Sequence, residues 1–223
     1  MKDKSYIGIS FIILLFGIYT VPKVVKYFSK PDLAFFYEDP ETEKIKRKVP
    51  AFEFTDQKGE IITNETYKGK VYVVEFFFTT CPTICPIMNE KMVTIQNEFF
   101  GNPNFGIASI SINPSHDTSK ILKEYAEEYK VSSPNWHLLS GKSQEEVFEL
   151  ATKGFMLYAG VAGKEVGGFE HSGLFALVDK NGNIRSRYDK DGNPIMYYRA
   201  LKENAFGDQI NELKQDIALL LKE

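Results

Sequence analysis

The alternation of apolar and polar positions changes period several times along this chain, and each change marks an element. Tyr6 to Val21 is apolar except for Ser10 and Thr20 and carries no charge; Val24 and Val25 extend it, and lysines on both sides can snorkel. Ser29 to Pro50 is charged and proline-bearing, the pattern of a solvated tether, with Leu33 to Tyr37 as a small apolar docking patch inside it. From Ala51 the periods are those of a folded domain. Ala51 to Asp56 and Glu60 to Thr63 flank Gln57-Lys58-Gly59 as a β-hairpin, and Tyr67 to Lys70 forms a turn into the next strand. Val71 to Phe78 is nearly continuous in apolar residues, the signature of a strand buried on both faces. After Pro86 the period becomes helical, with Ile87, Met88, Met92, Ile95 and Phe99 as the apolar stripe.

Phe105 to Ile112 reads as a second buried strand, broken at Asn113-Pro114. Asp117, Thr118 and Ser119 offer caps for a helix through Tyr129. Trp136 to Leu139 is a short strand, and Ser143-Gln144-Glu145-Glu146 is a capping box for a helix to about Thr152. Phe155 to Gly168 is glycine-rich and irregular, with His171 in the loop beyond it. Leu174 to Val178 and Ile184 to Tyr188 form a hairpin across Lys180-Asn181-Gly182-Asn183, and Asp208 to Lys222 is an amphipathic helix. This order predicts an α/β sandwich with a mixed sheet. The expected organisation is an anchor over 1–28, a linker over 29–50 and one domain over 51–223.

Composition narrows the function. The 223 residues carry a net charge of -3 and no long basic stretch, which argues against nucleic acid as a partner. No small-x-small site follows the apolar N-terminal run, so a retained transmembrane anchor is expected rather than a cleaved signal peptide. Lys2 and Lys4 precede the run and Lys23, Lys26 and Lys30 follow it, so charge alone does not orient it.

The chain has two cysteines, Cys81 and Cys85, and both fall where the central strand hands over to a helix. A helix N-terminus offers free N–H groups and a positive dipole end, which stabilise a thiolate. Four residues apart on a helical turn, the two share a face, where they can form a disulfide or present two sulfurs to one ion. The plainer alternative, two cysteines packed as small apolar groups, leaves their shared placement unexplained.

These residues resemble the Sco/SenC family of copper-binding, thioredoxin-like proteins. The resemblance runs from about Ala51 to the C-terminal helix. It rests on TDQKGEIIT, YKGKVYVVEFFF, CPTICP, SINPSHDT, WHLLSG and HSGLFALVDKNGNI. It implies a thioredoxin-like fold, with Cys81, Cys85 and His171 as metal ligands. It also implies a membrane-anchored domain facing the periplasm or the mitochondrial intermembrane space. The family's function would be a copper metallochaperone for the binuclear copper site of cytochrome c oxidase subunit II, with that subunit or another copper-accepting protein as its partner. The chain departs from the family at Asn113-Pro114, where Asp-Pro is frequent; Asp117 remains close by. Donor chemistry points the same way: soft thiolates select Cu(I), and an imidazole lets Cu(II) bind too, whereas a structural zinc site wants four protein ligands.

Two other readings compete. A membrane-anchored thiol–disulfide reductase would use Cys81 and Cys85 as a redox pair without metal, and His171 separates this reading from copper handling. A peroxiredoxin-type peroxidase would need proline at Val74 and threonine at Phe78, and has neither. His116 and His137 read as surface or packing residues, and Met88, Met92 and Trp136 as core. Glu170 could tune its neighbour His171, although adjacency in sequence is no evidence of contact. Asp189 to Asn193 opens like a calcium loop but lacks the glutamate at its twelfth position, which is Ala200, so it reads as a turn.

Overall fold

The computed structural model describes residues 5–28, 33–38, 45–163, 168–202 and 206–223; the side chains of 5–7, 9 and 22–28 are outside the description. The chain divides into two units, Met1–Asp32 and Leu33–Glu223. In the first, α1 spans Ser5–Phe28. Among the described residues, no helix is long and apolar enough to cross a membrane.

The second unit opens with β1 (Ala34–Phe35), in the segment expected to be a tether. It pairs antiparallel with a late strand, Ala34 opposite Ser186 and Phe35 opposite Arg185. The cause is non-local. The Arg185 guanidinium lies 3.8 Å from the Phe35 ring centroid and donates to Leu33 O at 3.1 Å, while Lys46 Nζ sits 3.5 Å from the same centroid. Leu33 and Phe36 are buried in consequence. Expected linker residues 29–32 and 39–44 lie outside the described residues.

The hairpin follows as β2 (Glu53–Asp56) and β3 (Ile61–Thr63), then a 3₁₀ turn over Asn64–Tyr67. β4 (Val71–Phe77) is buried at all seven positions. Its two faces are covered by different elements: Phe77 packs on Tyr125 at 5.4 Å between ring centroids, and Phe76 on Phe155 at 5.6 Å. Next come α2 (Ile84–Glu98), β5 (Phe105–Ser111), α3 (Ser119–Glu128) and β6 (Trp136–Ser140). β4, β5 and β6 are parallel, with helical crossovers between them. α4 (Gln144–Glu149) starts at Ser143, whose hydroxyl accepts from Glu146 N–H, and runs into a π turn over Leu150–Gly154.

The glycine-rich excursion contains an element the sequence reading missed. β7 (Ala159–Val161) pairs with β8 (Phe169–His171) in a separate two-stranded ribbon. His171 is therefore the last residue of a strand rather than part of a loop. Residues 164–167 lie outside the described residues. β9 (Leu174–Val178), β10 (Ile184–Ser186), β11 (Tyr198–Arg199) and α5 (Ile210–Lys222) complete the unit. The main sheet has the order β1-β10-β9-β4-β5-β6-β2-β3, with β11 also on β9. It is mixed, as the sequence predicts: β9 lies antiparallel to β4, while β5 lies parallel to it.

The stripe of α2 differs from the expectation. Because the helix starts at Ile84, its inward face carries Cys85, Met88, Asn89, Met92, Ile95 and Gln96, and Ile87 is exposed. Asp189 to Asn193 is the expected turn, with Asp189 Oδ1 accepting from the N–H groups of Asp191 and Asn193 at 2.9 Å.

One buried carboxyl sits in the central strand. Glu75 is fully buried; Ser109 Oγ donates to its Oε1 at 2.6 Å, and its Oε2 has no partner. Trp136 Nε1 donates in turn to Ser109 Oγ at 3.0 Å. Burial pushes the Glu75 carboxyl up to about 7, against the lowering effect of Ser109. A carboxyl raised on folding binds a proton in the native state that the unfolded chain has already lost. Its contribution to stability is present below the unfolded value and fades as pH rises through the folded one. Stability should therefore fall between about pH 4.5 and pH 7 by an amount on the order of 3 kcal/mol from this group. Urea denaturation of wild type and Glu75→Gln across pH 5 to 8 checks this: the variant should show a flatter profile, and parallel profiles would refute it.

Candidate metal centre

The sequence places three soft or borderline donors far apart in the chain, and the fold brings them together. β4 ends at Phe77, and the backbone turns at once: Cys81 N–H donates to Phe78 O at 3.2 Å. Cys81 stands in this turn, and Cys85 is the second residue of α2. The first turn of a helix has N–H groups without intrahelical partners. One of them, Cys85 N–H, points at Cys81 Sγ at 3.5 Å.

β9 runs antiparallel to β4, so its start lies at the end where β4 finishes, and β8 precedes it by two residues. This delivers His171. Its Nε2 lies 3.1 Å from Cys85 Sγ. Its Nδ1 is 3.1 Å from Ser172 O, which turns the Nε2 edge of the ring toward the sulfurs. The ring packs edge-on against Phe78 at 5.9 Å between centroids, and Phe78 in turn meets Phe169 at 5.6 Å. Donor atoms of Cys81, Cys85 and His171 all lie within 4.8 Å of one another. All three residues are buried, at 8%, 0% and 5% exposure, and both cysteines are free thiols.

The two sulfurs are electrostatically unequal. Hydrogen bonding from the Cys85 side chain holds the Cys81 thiol down to about 3, with further help from His171 and the backbone N–H groups of Cys85 and Thr83, against desolvation. Burial pushes the Cys85 thiol up, reinforced by the adjacent Cys81 charge. The pair thus holds one proton between them, with the negative charge on Cys81. Above them opens a cleft of about 700 Å³ lined by Phe78, Cys81, Ile84, Phe169, His171 and Leu201, among others. A thiolate and an imidazole lining an open cleft, with a fully buried thiol beside them, suit a soft metal ion or thiol exchange.

Among the described residues, this is the one cluster of three metal-capable side chains. His116 is elsewhere, its Nδ1 2.8 Å from Asp117 Oδ1, and buried His137 has its Nδ1 3.0 Å from Asp56 Oδ2. Met88, Met92 and Trp136 are buried core. Glu170 lies on β8 opposite Gly160 and lines the cleft. Sequence reasoning missed Thr79, which Asp117 holds from beneath the Cys81 loop, and Asn89, whose Nδ2 donates to Cys85 O at 2.9 Å. The signal for Asn89 was its place four residues after Cys85, one helical turn along the same face.

A family model described as SCO1/SenC matches residues 40–205. A protein of Bacillus subtilis named as an SCO1 protein homolog is 35% identical over 144 residues, covering 63% of this chain and 73% of its own. A protein of Stutzerimonas stutzeri described as a putative copper-binding protein is 28% identical over 143 residues, covering 62% of this chain and 68% of its own. The solved structure of BsSco, a member of the Sco family of cytochrome c oxidase assembly proteins in which a disulfide switch was identified, aligns with a TM-score of 0.62 and 28% identity, covering 77% of this chain and 92% of that one. With its thioredoxin-like α/β fold and the family match across most of its length, the chain belongs to the SCO1/SenC family.

Proposed function

We propose that this protein is a copper metallochaperone that carries copper on Cys81, Cys85 and His171. Its cargo would pass by ligand exchange to the binuclear copper site of cytochrome c oxidase subunit II. The observation that carries the reading is the convergence of two sulfurs and an imidazole nitrogen within 4.8 Å beneath an open cleft. The donor set is soft enough for Cu(I), and its nitrogen also suits Cu(II). Support comes from the relatives described as copper-binding and as oxidase assembly proteins.

Loading the site releases protons, because Cys85 holds its thiol proton until an ion replaces it. Copper affinity should therefore fall as pH drops. Either Cys→Ser variant should lose tight Cu(I) binding. His171→Ala leaves two sulfurs, which suffice for two-coordinate Cu(I), but should weaken Cu(II) by about tenfold or more. Titration of both oxidation states, anaerobically for Cu(I), checks this. Wild-type Cu(II) binding and an unchanged absorption spectrum in His171→Ala would remove the three-donor site.

A second reading is supported by the Cys81 thiolate: a thiol–disulfide reductase acting on the target's cysteines. Cys81 would attack a target disulfide, and Cys85 would resolve the mixed disulfide, leaving Cys81 and Cys85 joined within one chain. Cys81 should react with a small alkylating reagent at a rate nearly flat from pH 5 to 8, because it is already ionised there. Peptide mapping after brief labelling should find the label on Cys81. A rate that climbs about tenfold per unit toward pH 8.5, as an ordinary thiol does, would refute this assignment.

We further propose that α1 anchors the protein in the inner, cytoplasmic membrane with the folded unit on the extracytoplasmic side, or in the mitochondrial inner membrane facing the intermembrane space. Tyr6 to Val21 carries no charge, and Phe11, Ile12, Ile13, Leu14, Leu15 and Phe16 are each 50% or more exposed, an apolar surface suited to lipid. Protease added to intact spheroplasts should digest the folded unit. Digestion only after lysis would place it in the cytoplasm.

A further inference from the structure

Of the three donors, Cys85 is carried by a helix and His171 by a strand, while Cys81 stands in irregular backbone. The helix start meets Cys81 at its sulfur, with Cys85 N–H 3.5 Å and Thr83 Oγ1 3.6 Å from Sγ. Thr83, the residue before α2, makes no side-chain capping hydrogen bond and has φ −118° and ψ −82°. The loop backbone that leads into Cys81 is held from the neighbouring loop. Thr79, two residues before Cys81, donates its N–H to Asp117 Oδ2 at 3.1 Å and its hydroxyl to Asp117 Oδ1 at 2.5 Å. Ser111 Oγ, at the end of β5, donates to the same Oδ2 at 2.5 Å, and His116 Nδ1 lies 2.8 Å from Oδ1. Asp117 is fully buried, and its four partners occupy both oxygens.

We propose that Asp117 is the positioning residue of this site: through Thr79, its carboxylate sets where Cys81 Sγ stands relative to Cys85 Sγ and His171 Nε2. The proposal rests on the reading of these three residues as the working site. Two bonds from one carboxylate to the main chain and the side chain of a single residue fix that residue's position and rotation together. From there the route to Cys81 is short, and Cys81 N–H closes it on Phe78 O. Asp117 touches none of the donors, so its effect is on geometry.

The test uses the detergent-solubilised full chain with Thr79→Val, Thr79→Ser, Ser111→Ala and Asp117→Ala. Two readouts are taken: the effective concentration of the Cys81–Cys85 pair in glutathione redox buffers, and the absorption spectrum with Cu(II). Thr79→Val, which keeps the N–H bond and loses the hydroxyl, should lower the effective concentration about tenfold and alter the spectrum. Thr79→Ser should restore both to within about twofold, since the hydroxyl is back. Ser111→Ala, which removes a partner of the same carboxylate without touching the Cys81 loop, should cost about threefold or less. Asp117→Ala should show the largest loss; if it does not fold, the two Thr79 variants decide. The proposal is overturned if Thr79→Val matches wild type in both readouts, if Thr79→Ser does no better than Thr79→Val, or if Ser111→Ala loses as much as Thr79→Val. If the wild type takes up no Cu(II), the copper reading fails, and the effective concentration alone decides the positioning role.

Discussion

The parallel pairing of β4 with β5 runs unbroken through seven residue pairs, from Val71 opposite Phe105 to Phe77 opposite Ser111. Both strands therefore finish at the same level, and the loops that leave them stand side by side. One contains Thr79 and Cys81; the other contains Asn113 and Asp117. β9, antiparallel on the other flank of β4, begins at that same end and draws His171 in. The convergence follows from topology rather than from any local preference of the residues involved. It is the usual consequence of a doubly covered sheet, whose strand ends are the part left open for ligands. A slip of one residue in the β4–β5 register would turn every side chain of β4 to the opposite face and part Thr79 from Asp117.

Much of this was legible in the sequence, for reasons specific to each residue. β4 announces itself because burial on two faces demands an unbroken apolar run, and the cysteines because they follow that run directly. At Leu33 to Phe36 the tether pattern gives way to the docking patch within it, and the sequence does not show where that patch docks because its partner, Arg185, is about 150 positions away along the chain. β7 and β8 were hidden because each has three residues, too few to show alternation, amid glycines that signal irregular backbone. His171 was legible only through the family resemblance; no local pattern links it to Cys85. Ile87 fits an apolar stripe only when the helical period is counted from Pro86; a helix that starts at Ile84 turns it outward. Asn89 and Gln96 look like solvent-facing positions, yet each is buried and bonded: Gln96 Oε1 accepts from Ser132 and Ser133 N–H at 2.8 and 2.9 Å. Pattern reading takes polarity as a mark of exposure, and a buried amide with partners defeats it.

The copper and thiol readings draw on the same atoms, and the inequality of the two sulfurs serves both. A thiolate at Cys81 is a nucleophile toward a disulfide and a ready ligand for a metal ion. A protonated Cys85 beside it restrains the charge in a buried place, and gives up its proton when either a metal or a second sulfur arrives. His171 is the point of difference. An imidazole nitrogen 3.1 Å from Cys85 adds a donor that disulfide chemistry does not require.

The separation of 86 residues between Cys85 and His171 also has a meaning in time. Chains are made from the N-terminus at ~5–20 residues per second, so the histidine emerges roughly 4 to 17 s after the second cysteine. During that interval the two thiols are neighbours by sequence alone, with neither β9 nor the Phe78 ring contact in place to close the site. The nascent chain thus offers a bare dithiol before it offers a three-donor centre. For that interval its protection from oxidation and from stray metal ions must come from outside the fold.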